Sequence, residues 1–215
     1  MINSLYDIFK HWSAKGSVYL YSDPHFGDTE SYTLRGLLVE NGPSVAQLDQ
    51  MQIDNINKIV NKQDTLIILG DIGNPELLSK VRGYKVLITG NHDKGTSVYK
   101  PYFNEIYTGC LTITDRIILS HEPIENLPPF LFNIHGHDHG GHDFLTYVLK
   151  HYKTEVALED KLNSYIETIK NEKLTKLNVC AEWVAYTPVS LSYLIKSGIF
   201  VHIPTIHRNY LNNKA

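Results

Sequence analysis

Apolar residues along the chain gather into short runs, and five of these runs stop at a histidine, aspartate or asparagine. The run from Val18 leads into Asp23-Pro24-His25, the run from Thr65 into Asp71, and the run from Lys85 into Asn91-His92-Asp93. Those from Arg116 and Phe130 lead into His121 and into His137-Asp138-His139. Runs this short and rich in Val, Ile, Leu and Tyr predict buried strands. In open α/β sheets ligands collect outside the carboxyl ends of the strands, so each predicted strand delivers a metal-holding side chain to that position.

Between the runs the period changes. Ser4 to Trp12 predicts a capped helix, with Ser4 and Asp7 at capping-box spacing and Leu5, Ile8, Phe9 and Trp12 on one face. Phe26 to Pro43 is polar and contains glycine; it reads as a long connection and a candidate functional loop, with Arg35 a solvated charge. Ser44 and Gln47 open a second capping box, followed at helical spacing by Val45, Leu48, Met51, Ile56, Ile59 and Val60. A strand at Thr65 to Leu69, a helix at Pro75 to Arg82 and a strand at Lys85 to Thr89 make a parallel β-α-β unit. From Glu105 onward short strands at Ile106–Tyr107, Leu111–Thr114, Ile117–Ser120 and Leu131–His135 predict a second sheet, at least partly antiparallel. Phe144 to Leu177 carries Leu145, Val148, Leu149, Tyr152, Leu162, Tyr165, Ile166 and Ile169 at helical offsets and predicts one or two amphipathic helices. A strand at Asn178 to Tyr186, a helix begun at Pro188 to Ser190 and a polar tail complete the reading.

Composition narrows the classes. With 215 residues, 42% hydrophobic and 20% charged, the chain suits one domain spanning 1–215. A formal charge of −3 and a pI near 6.4 give no bulk attraction to long nucleic acid or an anionic membrane. No stretch approaches the roughly 18 apolar residues of a membrane helix. Cys110 and Cys180 lack metal or redox spacing and read as two buried free thiols, which with the absence of a signal core points to the cytoplasm.

Carboxylate, amide and imidazole ligands suit a hard to borderline divalent cation that activates water, and holding two cations needs a carboxylate with an oxygen for each. Asp23 and His25, like His137 and His139, are two apart and share a face if extended. Asp71 is the candidate bridging carboxylate, Asn91 offers an amide oxygen, and His121 completes the second site.

Taken in order, DPH, GD, GNHD, SHEP and GHDH resemble the calcineurin-like metallophosphoesterase superfamily, with its D-x-H, G-D, G-N-H-D/E, H and G-H-x-H pattern. The C-terminal NVCAEWVAYTPVSL further resembles the small bacterial and phage phosphoesterase branch. The resemblance implies an α/β fold of two sheets in an α/β/β/α sandwich, with a helical insertion near 144–177. It implies one cation held by Asp23, His25, Asp71 and His139, and a second by Asp71, Asn91, His121 and His137. Manganese is the first expectation; iron, zinc, nickel and magnesium are alternatives. His92 would protonate the leaving oxygen or, with Asn91, hold the phosphate, and Asp93 would orient the loop or help His92 keep its proton. After Asp71 the chain continues Ile-Gly-Asn-Pro, without the arginine motif of Ser/Thr protein phosphatases.

The implied function is a dinuclear-metal phosphohydrolase using metal-activated water, leaning to phosphodiesters of nucleotides or cyclic nucleotides. The alternatives are a phosphomonoesterase of a small metabolite and a catalytically silent protein-binding scaffold. The expected partner is a small phosphoester, with oligomerisation through the insertion. His11, His135, His142, His151, His202 and His207 read as ordinary core or surface residues.

Overall fold

The computed structural model describes residues 10–140 and 156–204. A helical turn at 10–13 precedes β1 (Val18–Tyr21), α1 (Thr29–Leu34), α2 (Val45–Ile59), β2 (Thr65–Ile68), a 3-10 helix (Pro75–Lys80), β3 (Tyr84–Ile88), α3 (Thr96–Tyr99) and β4 (Glu105–Tyr107). There follow β5 (Leu111–Thr112), β6 (Ile117–Leu119), β7 (Phe132–His135), α4 (Val156–Asn171), β8 (Lys176–Asn178), β9 (Val189–Ser190) and α5 (Leu191–Ser197). The chain is a mixed α/β protein with two sheets. One runs β4-β3-β2-β1-β9 and the other β5-β6-β7-β8. Among the described residues no helix is long and apolar enough to cross a membrane.

In the first sheet β1 to β4 are parallel, and β9 adds antiparallel to β1. Thr65 to Ile68 are buried throughout, as expected of a central parallel strand covered on both faces. In the second sheet only β5 is antiparallel to its neighbour. The strand predicted at Ile106 belongs to the first sheet, because β4 runs parallel beside β3 with Leu87 opposite Ile106. The sheets meet where Ser22 bridges Cys180 and the Ala181 amide donates to Ser22 O at 2.9 Å.

Helix α2 has the predicted capping box, Ser44 accepting from the Gln47 amide while the Gln47 side chain accepts from the Ser44 amide. The expected loop at Phe26 to Pro43 contains α1, which starts because Asp28 caps it by accepting from the Ser31 amide. The segment at Pro75 is a 3-10 helix rather than an α-helix, capped by Asn74, whose side chain accepts from the Glu76 amide. The strand expected at Asn178 to Tyr186 stops at Asn178. The chain then turns, with the Val184 amide returning to Cys180 O and the Tyr186 amide to Ala181 O. Cys110 is exposed and only Cys180 is buried, since Cys110 sits in the Gly109 turn before β5. Residues 1–9, 141–155 and 205–215 lie outside the described set. With them lie the N-terminal part of the first predicted helix, the tail beyond Pro204, and His142, His151, His207, Leu145, Val148, Leu149 and Tyr152.

Candidate metal centre

Register alone brings the first three motifs together. Tyr21 pairs with Ile68 and Ile68 with Leu87, so β1, β2 and β3 end at one level, and Asp23, Asp71 and Asn91 follow within a few residues. The loop after β1 then runs beside the loop after β2, the amides of Asp23, His25 and Phe26 donating to Gly70 O, Asp71 O and Ile72 O. From the second sheet, Leu119 opposite Ile134 places His121 and His137 side by side. The Gly136 amide donates to His121 O at 2.8 Å.

Close approach dictates small residues here. A Cβ on Gly70 would stand 2.6 Å from Gly90 Cα and His121 Nδ1, and one on Gly136 would overlap Ser22 Oγ and Asp23 Oδ2. Asp23, His25, Asp71 and His137 all have positive φ, between 45° and 67°. Non-glycine residues in this region cost of order 1–3 kcal/mol each and persist only where the surroundings impose them, which happens most often at functional sites.

Helix α2 supplies part of that imposition. Asp49 accepts from the Gly27 amide and from Tyr32 Oη, and Gln52 Nε2 donates to Pro24 O at 3.0 Å. Both side chains are buried polar groups on the core face of the helix. Asp93 performs the corresponding task for the second and third motifs. Its carboxylate accepts from the amides of Asp71, Ile72 and Gly90 and from Tyr99 Oη, so it orders the loop and is not aimed at supporting a charge on His92.

The donor atoms converge in two overlapping sets. Asp71 Oδ2 lies 3.6 Å from His25 Nε2 and 3.5 Å from His121 Nε2. On one side His139 Nε2 is 3.9 Å from Asp23 Oδ1. On the other, Asn91 Oδ1 is 2.7 Å from His121 Nε2 and 3.2 Å from His137 Nδ1. All seven sequence-predicted ligands are thus brought together, Asp71 lying between the halves. His92 is exposed at the edge, its ring 6.0 Å from that of His25 and its amide donating to Asp71 Oδ1.

The protonation pattern fits cations. Three of the histidines face an oxygen acceptor through Nδ1: His25 faces Asp28, His121 faces Leu69 O and His139 faces Glu182. A ring that donates there through Nδ1 and carries one proton has its Nε2 lone pair directed at Asp71, Asn91 or Asp23, themselves acceptors. Asp23 Oδ1 and His25 Nε2 are buried and make no hydrogen bond among the described residues. Burial and the Arg35 charge, opposed by Asp23, lower the pKa of His25 to about 4, which keeps that lone pair available. Buried acceptors facing one another are satisfied by divalent cations bound to oxygen and imidazole. Asp23, His25 and His139 form one such group, and Asp23, Asp71 and His121 another.

Arg35, expected to be solvated, is buried and pairs with Glu182 at 2.6 Å. Glu182 lies in the NVCAEWVAYTPVSL segment but was given no role there, and Asp49 and Gln52 carried no motif of their own. The available signal for the helix pair was two polar residues, three apart, among the core positions Leu48, Ile53 and Ile56.

No family model matches the chain. An uncharacterized protein of Methanocaldococcus jannaschii is 28% identical over 193 residues, covering 83% of this chain and 89% of that one. A crystal structure of a protein of unknown function from Aquifex aeolicus shares the fold. It has a TM-score of 0.57 and 24% identity, covering 84% of this chain and 98% of that one. The Pseudomonas putida nuclease MPE aligns over 59% of this chain and 62% of its own, at 24% identity and a TM-score of 0.33.

Proposed function

We propose that the chain is a phosphohydrolase dependent on two divalent cations, folded as one metallophosphoesterase domain whose two sheets are the inner layers of an α/β/β/α sandwich. The observation that carries this reading is the facing of buried acceptor atoms, from Asp23 to His139, in the order of the superfamily's motifs. Asp23, His25, Asp71 and His139 would hold one cation and Asp71, Asn91, His121 and His137 the other, with manganese the first candidate. When bound, such a pair supplies an activated water and a clamp on phosphoryl oxygens.

The chain's own residues do the rest. Asp93 and the His92 amide fix Asp71 between the two halves. Asn91, exposed beside His121, and His92 face the side from which a phosphate enters. Among the described residues no hydrogen bond occupies the His92 ring, which would deliver a proton to the leaving oxygen, a contribution worth about 10²–10⁴-fold in rate. The absence of the protein-phosphatase arginine motif favours a small phosphodiester, nucleotide or cyclic nucleotide, over a phosphoprotein. Manganese-loaded protein assayed on bis-p-nitrophenyl phosphate and p-nitrophenyl phosphate, beside Asp71→Asn, tests this. Turnover favouring the diester and absent from the variant supports the reading; equal turnover in the variant refutes it.

A further inference from the structure

The segment Asn178 to Tyr186 does something its strand-like composition conceals: it grips the loop between His137 and His139. Asn178 Nδ2 and Trp183 Nε1 both donate to the carbonyl oxygen of Asp138, at 2.6 and 2.9 Å. The Trp183 ring lies 5.1 Å from that of Tyr165 on α4, and Tyr165 Oη accepts from the Asn178 amide at 3.1 Å. The helix within the predicted insertion therefore braces this grip.

At its centre is Glu182, fully buried, one oxygen of which meets two partners. Arg35 Nη1 donates to Oε1 at 2.6 Å and His139 Nδ1 lies 3.1 Å from the same atom. Arg35 is itself buried and further tied through Nε to Ser31 O. An ionised carboxylate only accepts, so the imidazole nitrogen facing it must donate. We propose that Glu182, held in place by Arg35, is a positioning residue that keeps the His139 proton on Nδ1 and turns a bare Nε2 toward Asp23 and His25. A histidine free in water carries its proton chiefly on Nε2, the nitrogen that here must stay bare. His139 is the most exposed of the histidines grouped with Asp23, and its Nδ1 faces Glu182 at 3.1 Å with Cys180 Sγ farther off at 3.9 Å. Partners of this kind are worth about 10–100-fold in metal affinity.

The affinity part of the inference rests on the metal reading above; the tautomer part does not. Burial lowers the His139 pKa, but its contacts with Glu182 and Asp23 raise it overall. Two-bond ¹H–¹⁵N spectra of metal-free protein are therefore taken at a pH alkaline enough for a neutral ring, where they read the protonated nitrogen of His139 directly. The wild type should show Nδ1 protonated, and Glu182→Gln should show the proton redistributed to Nε2. Because Glu182→Gln strands the Arg35 charge, a second variant removes the pair together, Arg35→Met with Glu182→Leu, and should give the same spectrum. Titration with manganese alone should show affinity about 10–100-fold lower in both variants. A His139 proton that stays on Nδ1 in the folded double variant overturns the inference, as does unchanged manganese affinity. A wild type that shows the expected tautomer but binds no manganese refutes the metal reading and leaves the role of Glu182 in setting the proton standing.

Discussion

The amide N–H of His137 donates to Oδ2 of Asp23 at 2.9 Å, across 114 positions of sequence. That bond ties the carboxyl end of one sheet to the carboxyl end of the other. It also divides the Asp23 carboxylate, one oxygen committed to backbone and the other left facing His139.

Gly136, immediately before that amide, should tolerate no side chain. In Gly136→Ala the added methyl meets Ser22 Oγ and Asp23 Oδ2, which belong to fully buried side chains. Overpacking of this kind costs about 1–3 kcal/mol. Denaturant unfolding should show that loss, and manganese affinity should fall with it; a variant of unchanged stability would contradict the close approach.

Asp71→Asn keeps the volume and the hydrogen bond to the His92 amide but removes the charge between the two halves of the site. We expect metal content to drop below one ion per chain and turnover to fall more than about a hundredfold, beyond the loss seen when an outer partner of a ligand is removed. Elemental analysis of the purified variant checks this without an assay.

His92→Ala leaves its own amide, and hence the bond to Asp71, in place. Metal content should match the wild type while the rate falls about 10²–10⁴-fold. Unchanged turnover would refute proton delivery by His92.

Asp49 ties the loop after β1 to α2, and its removal leaves the Gly27 amide and Tyr32 hydroxyl without their acceptor. Asp49→Ala should cost about 1–3 kcal/mol by thermal or chemical unfolding. It should also weaken manganese binding, because His25 sits in the loop it restrains.

Far from the site, Glu105 accepts from Trp12, Tyr84 and Tyr107. Burial opposes its ionisation, but these hydrogen bonds outweigh burial and hold its pKa below the ordinary value. A folded-state pKa below the unfolded one means that acid protonates the unfolded chain first. The contribution of Glu105 is therefore complete above the unfolded pKa and is lost as pH falls through the folded one. Melting temperatures taken from about pH 6 to about pH 3 should fall more steeply for wild type than for Glu105→Gln.

Much of the site was legible because parallel strands in register deliver whatever follows them to one edge, and Asp23, Asp71 and Asn91 each follow a clear apolar run. The α2 capping box was legible for the same local reason. Arg35 and Glu182 were not, since the property that matters, their mutual burial at 2.6 Å, is a contact between residues 147 apart. Val179, Cys180 and Ala181 suit a strand by composition, yet the chain bends there because the Cys180 and Ala181 carbonyls accept from residues four and five positions on. The Thr29 to Leu34 helix escaped notice because a six-residue helix shows too little periodicity to announce itself.

The left-handed backbone at Asp71 separates the tolerance of the fold from the competence of the site. Glycine and asparagine enter that region readily, whereas β-branched residues resist it. If Asp71 holds a cation as proposed, Asp71→Gly or Asp71→Asn should leave a chain that folds but holds no cation between its halves, whereas Asp71→Val should damage both. A library of variants selected for solubility alone would accumulate glycine and asparagine at this position and lose its chemistry without any visible loss of protein.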